Sequence, residues 1–271
     1  MPKPNTTPSP HALPWALAIF PVLEAVFFIA SALALQHSIW LALFFLLLAS
    51  LNLSFAIHIF FHECVHAKSD YSNLFKWPAS ILLGLPFDGY RVHHYNHHSF
   101  ENSEHDFSTT WIWENGAARP RSAWSYTFGW PRQLVRSVKC LTPFGGTPDA
   151  ANRIKQRIPS QKKALLLNFI ILLLIGWEYL LLYIALIYFG WAFTSLHNYG
   201  QHPPIEKIDV STYASAWYNQ LFFNNGLHWE HHHFPTLSWQ EIRLHPDSPR
   251  IMQPHIIHPL MIAYLPEKEN G

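Results

Sequence analysis

The chain has only two cysteines, Cys64 and Cys140, in 271 residues. Two thiols build no disulfide framework. They also cannot ligate an iron–sulfur cluster of the all-cysteine type. Cys64 reads as a small buried thiol. Charge is scarce as well. Asp, Glu, Lys and Arg make up 13% of the residues, and the formal net charge is +1. The charged share is about half the usual one, and so neutral a balance gives no reason to expect nucleic acid. No short apolar stretch with a small-residue cleavage site follows the N-terminus, so no removable signal peptide is expected. No repeat of solenoid period is found, and no heme or flavin motif.

What is abundant is apolar. Hydrophobic residues reach 49% and aromatics 16%, while mean hydropathy is only +0.04. Apolar segments must therefore alternate with a substantial polar part. The first fourteen residues, "MPKPNTTPSPHALP", are rich in Pro, Ser and Thr and read as a disordered tail, 1–14. Trp15 to Leu35 then spans about one bilayer thickness, interrupted only by Glu24 and Ser31. "QHS" at 36–38 is a very short link to a second span, Ile39 to Phe61. The segment 74–87 is too short to span and reads as interfacial or re-entrant. The apolar block from Ala164 to Leu196 reads as a second hairpin turning near Gly176-Trp177-Glu178.

Thirteen of the 18 Lys and Arg lie between Lys68 and Lys163, and the two short turns carry none. The positive-inside rule then puts the histidine-bearing region in the cytoplasm. Four crossings return the chain to that side; three would separate its histidines across the bilayer. The ten Lys and Arg from Arg119 to Lys163 suit an anionic lipid surface, or a CoA, carrier-protein or lipid head group.

Fourteen of the 19 histidines fall in the windows 58–105 and 197–233. "HECVH" sets His62 and His66 four apart, on one helical face. "HHYNHH" gives His94, His97 and His98 the i, i+3, i+4 spacing, and "HWEHHH" repeats it with His228, His231 and His232. In "NYGQH", Asn198 and His202 are again four apart. Nine imidazoles from four places exceed what one metal can use, so two metals are expected. Neutral imidazole suits iron, zinc, copper and nickel. By helical phase His93 and His233 turn away from their boxes, and His58 reads as a hydrogen-bonded helix histidine. His197 reads as local packing, and His11, His37, His245, His255 and His258 as tail or surface.

"HECVH" also fits H-E-x-x-H, the zinc-protease motif, with Glu63 as the base and "FDG" at 87–89 as an acidic-ligand motif. That reading leaves seven of the boxed histidines unexplained. A metal transporter is a further alternative, but transport would string ligands through the spans rather than gather them past the span ends.

Taken together, "HECVH", "HHYNHH", "NYGQH" and "HWEHHHFP" resemble the membrane fatty acid desaturase and hydroxylase superfamily. "HHSFENSEHDFS" resembles that family's "HHxxTNxxxxDPD" continuation; Asn102 and Asp106 match and the trailing proline is absent. The resemblance covers about residues 15–245, with 246–271 left as a C-terminal cytosolic tail.

It implies an all-α membrane protein: four transmembrane helices in two hairpins under a cytosolic helical cap that carries the boxes. It implies two Fe ions held by His62, His66, His94, His97, His98, His202, His228, His231 and His232, with Asn198 holding a metal-bound water. The implied activity is O2-dependent oxidation of an unactivated C–H in a fatty acyl chain or free fatty acid. Desaturation leads; hydroxylation, oxidative decarboxylation to a terminal alkene and carotenoid oxygenation use the same site. Electrons must come from a separate ferredoxin, rubredoxin or cytochrome. Ligand histidines need partners for their second nitrogen. Glu63, Asp106 and Glu230 are the leading candidates, with Asp70, Glu101 and Glu104 behind them.

Overall fold

The computed structural model describes residues 15–66, 73–139, 148–206 and 208–249. The expected tail 1–14, residues 250–271 of the expected C-terminal tail, and Asp70, Cys140, His11, His255 and His258 lie outside the described residues. The chain is mostly helical. Four helices are long and apolar enough to cross a membrane: Ala16–Leu35, Ile39–His66, Gln156–Ile175 and Trp177–Gln201.

A short 3-10 turn, Trp15–Ala18, leads into α1 (Ile19–Leu35). After the link 36–38, α2 (Ile39–Phe55) runs on through a π turn, Ala56–Phe61, into α3 (His62–His66). Then come α4 (Asn73–Leu83), α5 (Phe87–Phe100), β1 (Trp111–Glu114), β2 (Ala117–Pro120), α6 (Ala123–Phe128) and α7 (Trp130–Lys139). The remaining spans lie in α8 (Pro148–Ile175) and α9 (Trp177–Gln201), followed by α10 (Ala216–Leu221) and α11 (His228–His233).

The spans carry apolar residues outward and polar ones inward. On α1, Ile19, Val22, Val26, Ile29 and Leu33, three or four apart, form an exposed stripe, whereas Glu24 and Ser31 are buried. Lipid welcomes the stripe, and a polar side chain in the bilayer turns inward for a partner. Ser31 Oγ donates to the Ala42 carbonyl of α2 at 2.8 Å. Small residues then let backbones approach. A Cβ on Gly190 of α9 would lie 2.4 Å from Leu53 of α2, so only glycine fits that crossing.

A single residue, Gly176, separates α8 from α9, at the turn expected from sequence. The spans outrun the apolar block because α8 starts at Pro148 and α9 continues to Gln201. The Gln36 side-chain N–H donates to Tyr179 Oη at 3.2 Å, so both short turns lie at one end of the molecule. His62, His66 and His202 lie at the other ends of their spans.

The small β1–β2 ribbon departs from the all-α expectation. It pairs antiparallel, with Trp111 opposite Pro120 and Glu114 opposite Ala117. Asn115 and Gly116 turn it with φ of 52° and 79°, the left-handed pair that a two-residue hairpin requires.

The start of α5 positions the second histidine box. A helix leaves its first N–H groups without intrahelical partners, and the residue before this one, Pro86, makes no side-chain cap. Neighbouring helices cap it instead. Ser80 Oγ of α4 accepts from Phe87 N–H at 3.0 Å, and Gln161 Oε1 of α8 accepts from Asp88 N–H at 2.9 Å. Gln161 Nε2 also donates to Asp88 Oδ2 at 2.6 Å. Lys76 and Arg91 each reach the Asp88 carboxylate at 3.3 Å. Replacing Gln161 by Leu removes both Gln161 bonds at little change in volume. A buried donor left unmatched costs about 1–3 kcal/mol, so Gln161→Leu is expected to lower the unfolding free energy in lipid nanodiscs by that much, and the unfolding midpoint with it. An unchanged midpoint would show that α5 does not depend on this cap.

Candidate metal centre

Nine histidines meet at the box-bearing end, in two groups. The first is His62, His66, His94, His98 and His231; the second is His97, His202, His228 and His232. Within each group one ring nitrogen per residue lies within 4.8 Å of all the others. Each HxxHH box divides between the groups. His94 and His98 go to the first and His97 to the second; His228 and His232 go to the second and His231 to the first. The i, i+4 pairs share a group because they share a helix face, and the i+3 member sits rotated toward the other. His98 and His232 stack across the boundary, ring centroids 4.2 Å apart.

Local structure delivers the rings. The π turn Ala56–Phe61 adds residues to one turn, which rephases the helix just before His62 and His66, and such bulges gather at functional sites. His202 departs from the helical expectation: α9 ends at Gln201, and His202 caps it with φ −120° and ψ 64°. Its ring reaches both His97 and His228.

Four Nε2···Nε2 distances within the groups fall between 2.8 and 3.0 Å: His66–His94, His98–His231, His97–His202 and His202–His228. These are hydrogen-bond distances, and they are also short enough for one ion to touch both nitrogens of a pair.

Proton placement makes the same point. Asp106, fully buried, accepts from His97 Nδ1–H at 2.9 Å, Asn102 N–H at 2.8 Å and Ser108 N–H at 2.7 Å. Burial pushes its carboxyl up, but His97, His202 and the Ser108 N–H outweigh burial and hold it below the ordinary carboxylate value. With His97 neutral, as a metal ligand has to be, its proton sits on Nδ1 beside Asp106 and Nε2 keeps its lone pair. His202 Nδ1–H donates to the Asp209 carbonyl at 2.8 Å, so its Nε2 is bare too. In those neutral tautomers the two lone pairs face each other at 2.9 Å, a contact that a cation would relieve.

Burial, then the neighbouring imidazoles, push His94, His98, His228, His231 and His232 well below the ordinary imidazole value. His202 is pushed down to about 3. These six rings are neutral, the form a metal needs. Several nitrogens of the two groups, both of His62 and the Nε2 of His232 among them, are buried without a hydrogen-bond partner. The donor set fits metal ions.

The acids divide by what they touch. Asp106 meets a ring directly, and Glu101 faces His232 Nδ1 at 3.3 Å. Glu63 acts at one remove: its Oε1 accepts from Trp239 N–H at 2.9 Å. Glu230 accepts from Thr212 Oγ1 at 2.5 Å and His245 N–H at 2.9 Å, tying α11 to its flanking segments. Glu104 is exposed beside His105. Trp239 escapes a sequence reading, since a lone Trp carries no spacing signal. It is fully buried and stacks on His62 and His231 at 4.8 and 4.6 Å. His58 is hydrogen-bonded to the Thr194 carbonyl, His93 to Ser108 Oγ and His197 to Asn225. None of the three joins a metal group. Cys64 is buried.

Both groups open on one cavity, through His62 and His94 on one side and His97 and His228 on the other. Ile57, Leu85, Tyr90, Trp130, Leu134 and Trp191 give it an apolar wall, and Asn198 also lines it. Among the described residues no Asp, Glu, Lys or Arg does.

A family model described as fatty acid desaturase matches residues 37–257. The chain belongs to the fatty acid desaturase family. No curated protein matches it. Membership makes the chain a metal-dependent oxidoreductase of fatty acyl substrates that uses O2 in a membrane setting, and its four apolar helices fit an integral membrane protein. The matched range contains every desaturase-type histidine of both groups.

Partners that orient a ligand typically change metal affinity about 10–100-fold. Asp106→Ala is therefore expected to weaken metal binding by that factor at the four-histidine group and spare the other. Glu63→Gln, whose amide oxygen still accepts from Trp239, is expected to keep the wild-type metal content. Metal content after graded chelation checks the pair; metal loss in Glu63→Gln would give that carboxylate's charge a direct role.

Proposed function

We propose that this desaturase-family chain holds two irons, one per histidine group, and removes two hydrogens from neighbouring carbons of a fatty acyl chain. The balanced change is –CH2–CH2– + O2 + 2 electrons + 2 protons giving –CH=CH– + 2 H2O. Iron, when bound, supplies the O2 chemistry that no side chain can perform. The protein's own residues do the rest. The nine neutral imidazoles would be the ligands, and Asn198 would hold a metal-bound water. Asp106 fixes the His97 tautomer. The cavity wall orients the chain.

The observation that carries this reading is the shared cavity, which both histidine groups reach and, among the described residues, no Asp, Glu, Lys or Arg lines. An unactivated methylene has no polar handle. It must be positioned by shape, next to the oxidant and away from water. The electrons would come from a ferredoxin, rubredoxin or cytochrome-type protein. The four spans would form two hairpins, with the histidine cap facing the cytoplasm as the Lys and Arg bias suggests.

The protease alternative lacks its third ligand. Asp88 of "FDG" is bound to Gln161, Lys76 and Arg91 and joins neither metal group.

Expression in a host that supplies iron and a generic reductase, with gas chromatography–mass spectrometry of lipids, free acids and volatile hydrocarbons, tests the proposal. An unsaturated acyl product that disappears in His94→Ala is expected. An alcohol or a terminal alkene instead would keep the oxidative site and replace the reaction. No oxidised product together with a single bound zinc would overturn the reading.

A further inference from the structure

The four-histidine group has one imidazole fewer than its neighbour. Asn198 stands four residues before His202 and lines the cavity that His97 and His228 reach. What it offers there depends on its amide, which presents either an oxygen or an NH2 group. The hydrogen bonds around Tyr126 decide which.

The Ser108 carbonyl can only accept. Tyr126 Oη lies 2.7 Å from it, so the one hydroxyl proton points there. Toward any other neighbour, Tyr126 Oη is left as an acceptor. The Asn198 amide lies 2.6 Å from it, so the Asn198 group on that side has to be the NH2. The Asn198 oxygen is therefore turned away from Tyr126. The reverse arrangement would set two acceptors face to face at the Ser108 carbonyl.

The anchor of this chain is already fixed. Ser108 N–H is bound to Asp106 Oδ1 at 2.7 Å, and Ser108 Oγ lies 2.7 Å from His93 Nε2. Tyr126 itself is buried and packs on Tyr199 at 5.5 Å.

We infer that Tyr126 is a positioning residue: it orients Asn198 so that the amide oxygen, not the NH2, faces the cavity shared with the four-histidine group. Asp106 then governs that group twice, through the His97 tautomer and, by way of Ser108 and Tyr126, through the Asn198 amide. The inference rests on the two-metal reading above.

The test compares wild type, Tyr126→Phe, Asn198→Ala and the double variant, each full-length in nanodiscs and loaded with 57Fe(II). Iron content and Mössbauer spectra are read alongside turnover. Two irons in the wild type test the metal reading; fewer would remove the basis of both claims. Tyr126→Phe keeps the ring packing and loses only the hydroxyl. It is expected to hold two irons, shift the quadrupole doublet of one iron and leave the other unmoved. Turnover is expected to fall about 10–100-fold, the usual range for groups that orient a ligand. In the Asn198→Ala background the same change is expected to add nothing, because the amide through which it acts is gone. Unchanged doublets in Tyr126→Phe would overturn the inference. So would a further loss of the same size when Tyr126→Phe is added to Asn198→Ala, or a shift of both doublets. If Tyr126→Phe fails to accumulate, Tyr126→His, which restores a donor–acceptor ring, is expected to retain the wild-type doublets, and loss of one doublet there would count against the proposal.

Discussion

Nε2 of His97 and Nε2 of His202 meet at 2.9 Å inside a buried site. The other nitrogen of each ring is held, by Asp106 and by the Asp209 carbonyl, so as neutral metal ligands both rings turn a lone pair to the same point. A protein core does not bring acceptors together without a counter-charge, because an unmatched buried polar atom is costly. Much of the fold can be traced to this requirement. The spans bring the ends of α3 and α9 to one side, α5 and α11 bring their rings to the same place, and a loop of Asn102, Asp106 and Thr110 locks the second box to the third. Asn102 Oδ1 accepts from Thr110 N–H at 2.7 Å, and Thr110 Oγ1 donates to the His202 carbonyl at 2.7 Å. One short loop thus fixes a ring of α5 and the backbone of the residue that ends α9.

The division of the boxes follows from helix geometry. An i, i+4 pair lies almost in line along a helix and serves one group; the i+3 member is rotated toward the next. Two such boxes brought against each other interlock, so that each supplies two rings to one group and one ring to the other. The stacked pair His98 and His232 marks the seam. A double group built this way needs no bridging carboxylate from the chain, and the acids stay outside it, holding rings and backbone in place.

Much of this was legible in the sequence. Span positions, the tight turns at 36–38 and Gly176, and all nine histidines follow from apolar run length and from spacing. Those signals are local. The residues that escaped are non-local. Trp239 reaches His62 from 177 positions away in the chain, and nothing in its neighbourhood announces the contact. Gln161 looks like an ordinary polar residue before an apolar run, yet it caps α5. Glu63, inside a box, appeared to face a ring, but its partner is the Trp239 backbone. Spacing along a helix says which face a side chain shares; only packing says what meets that face. The β1–β2 ribbon was missed for another reason: four-residue strands are too short to show a period, although Asn115-Gly116 carries the turn signal.

The central claim is that the nine histidines hold two irons in nitrogen-rich surroundings. Metal analysis with iron X-ray absorption on the protein purified in lipid is the most direct test. The account predicts two irons per chain, with light-atom neighbours at about 2.1 Å, an imidazole scattering pattern and no sulfur despite Cys64. One metal per chain, zinc in place of iron, or a carboxylate-dominated shell would contradict it.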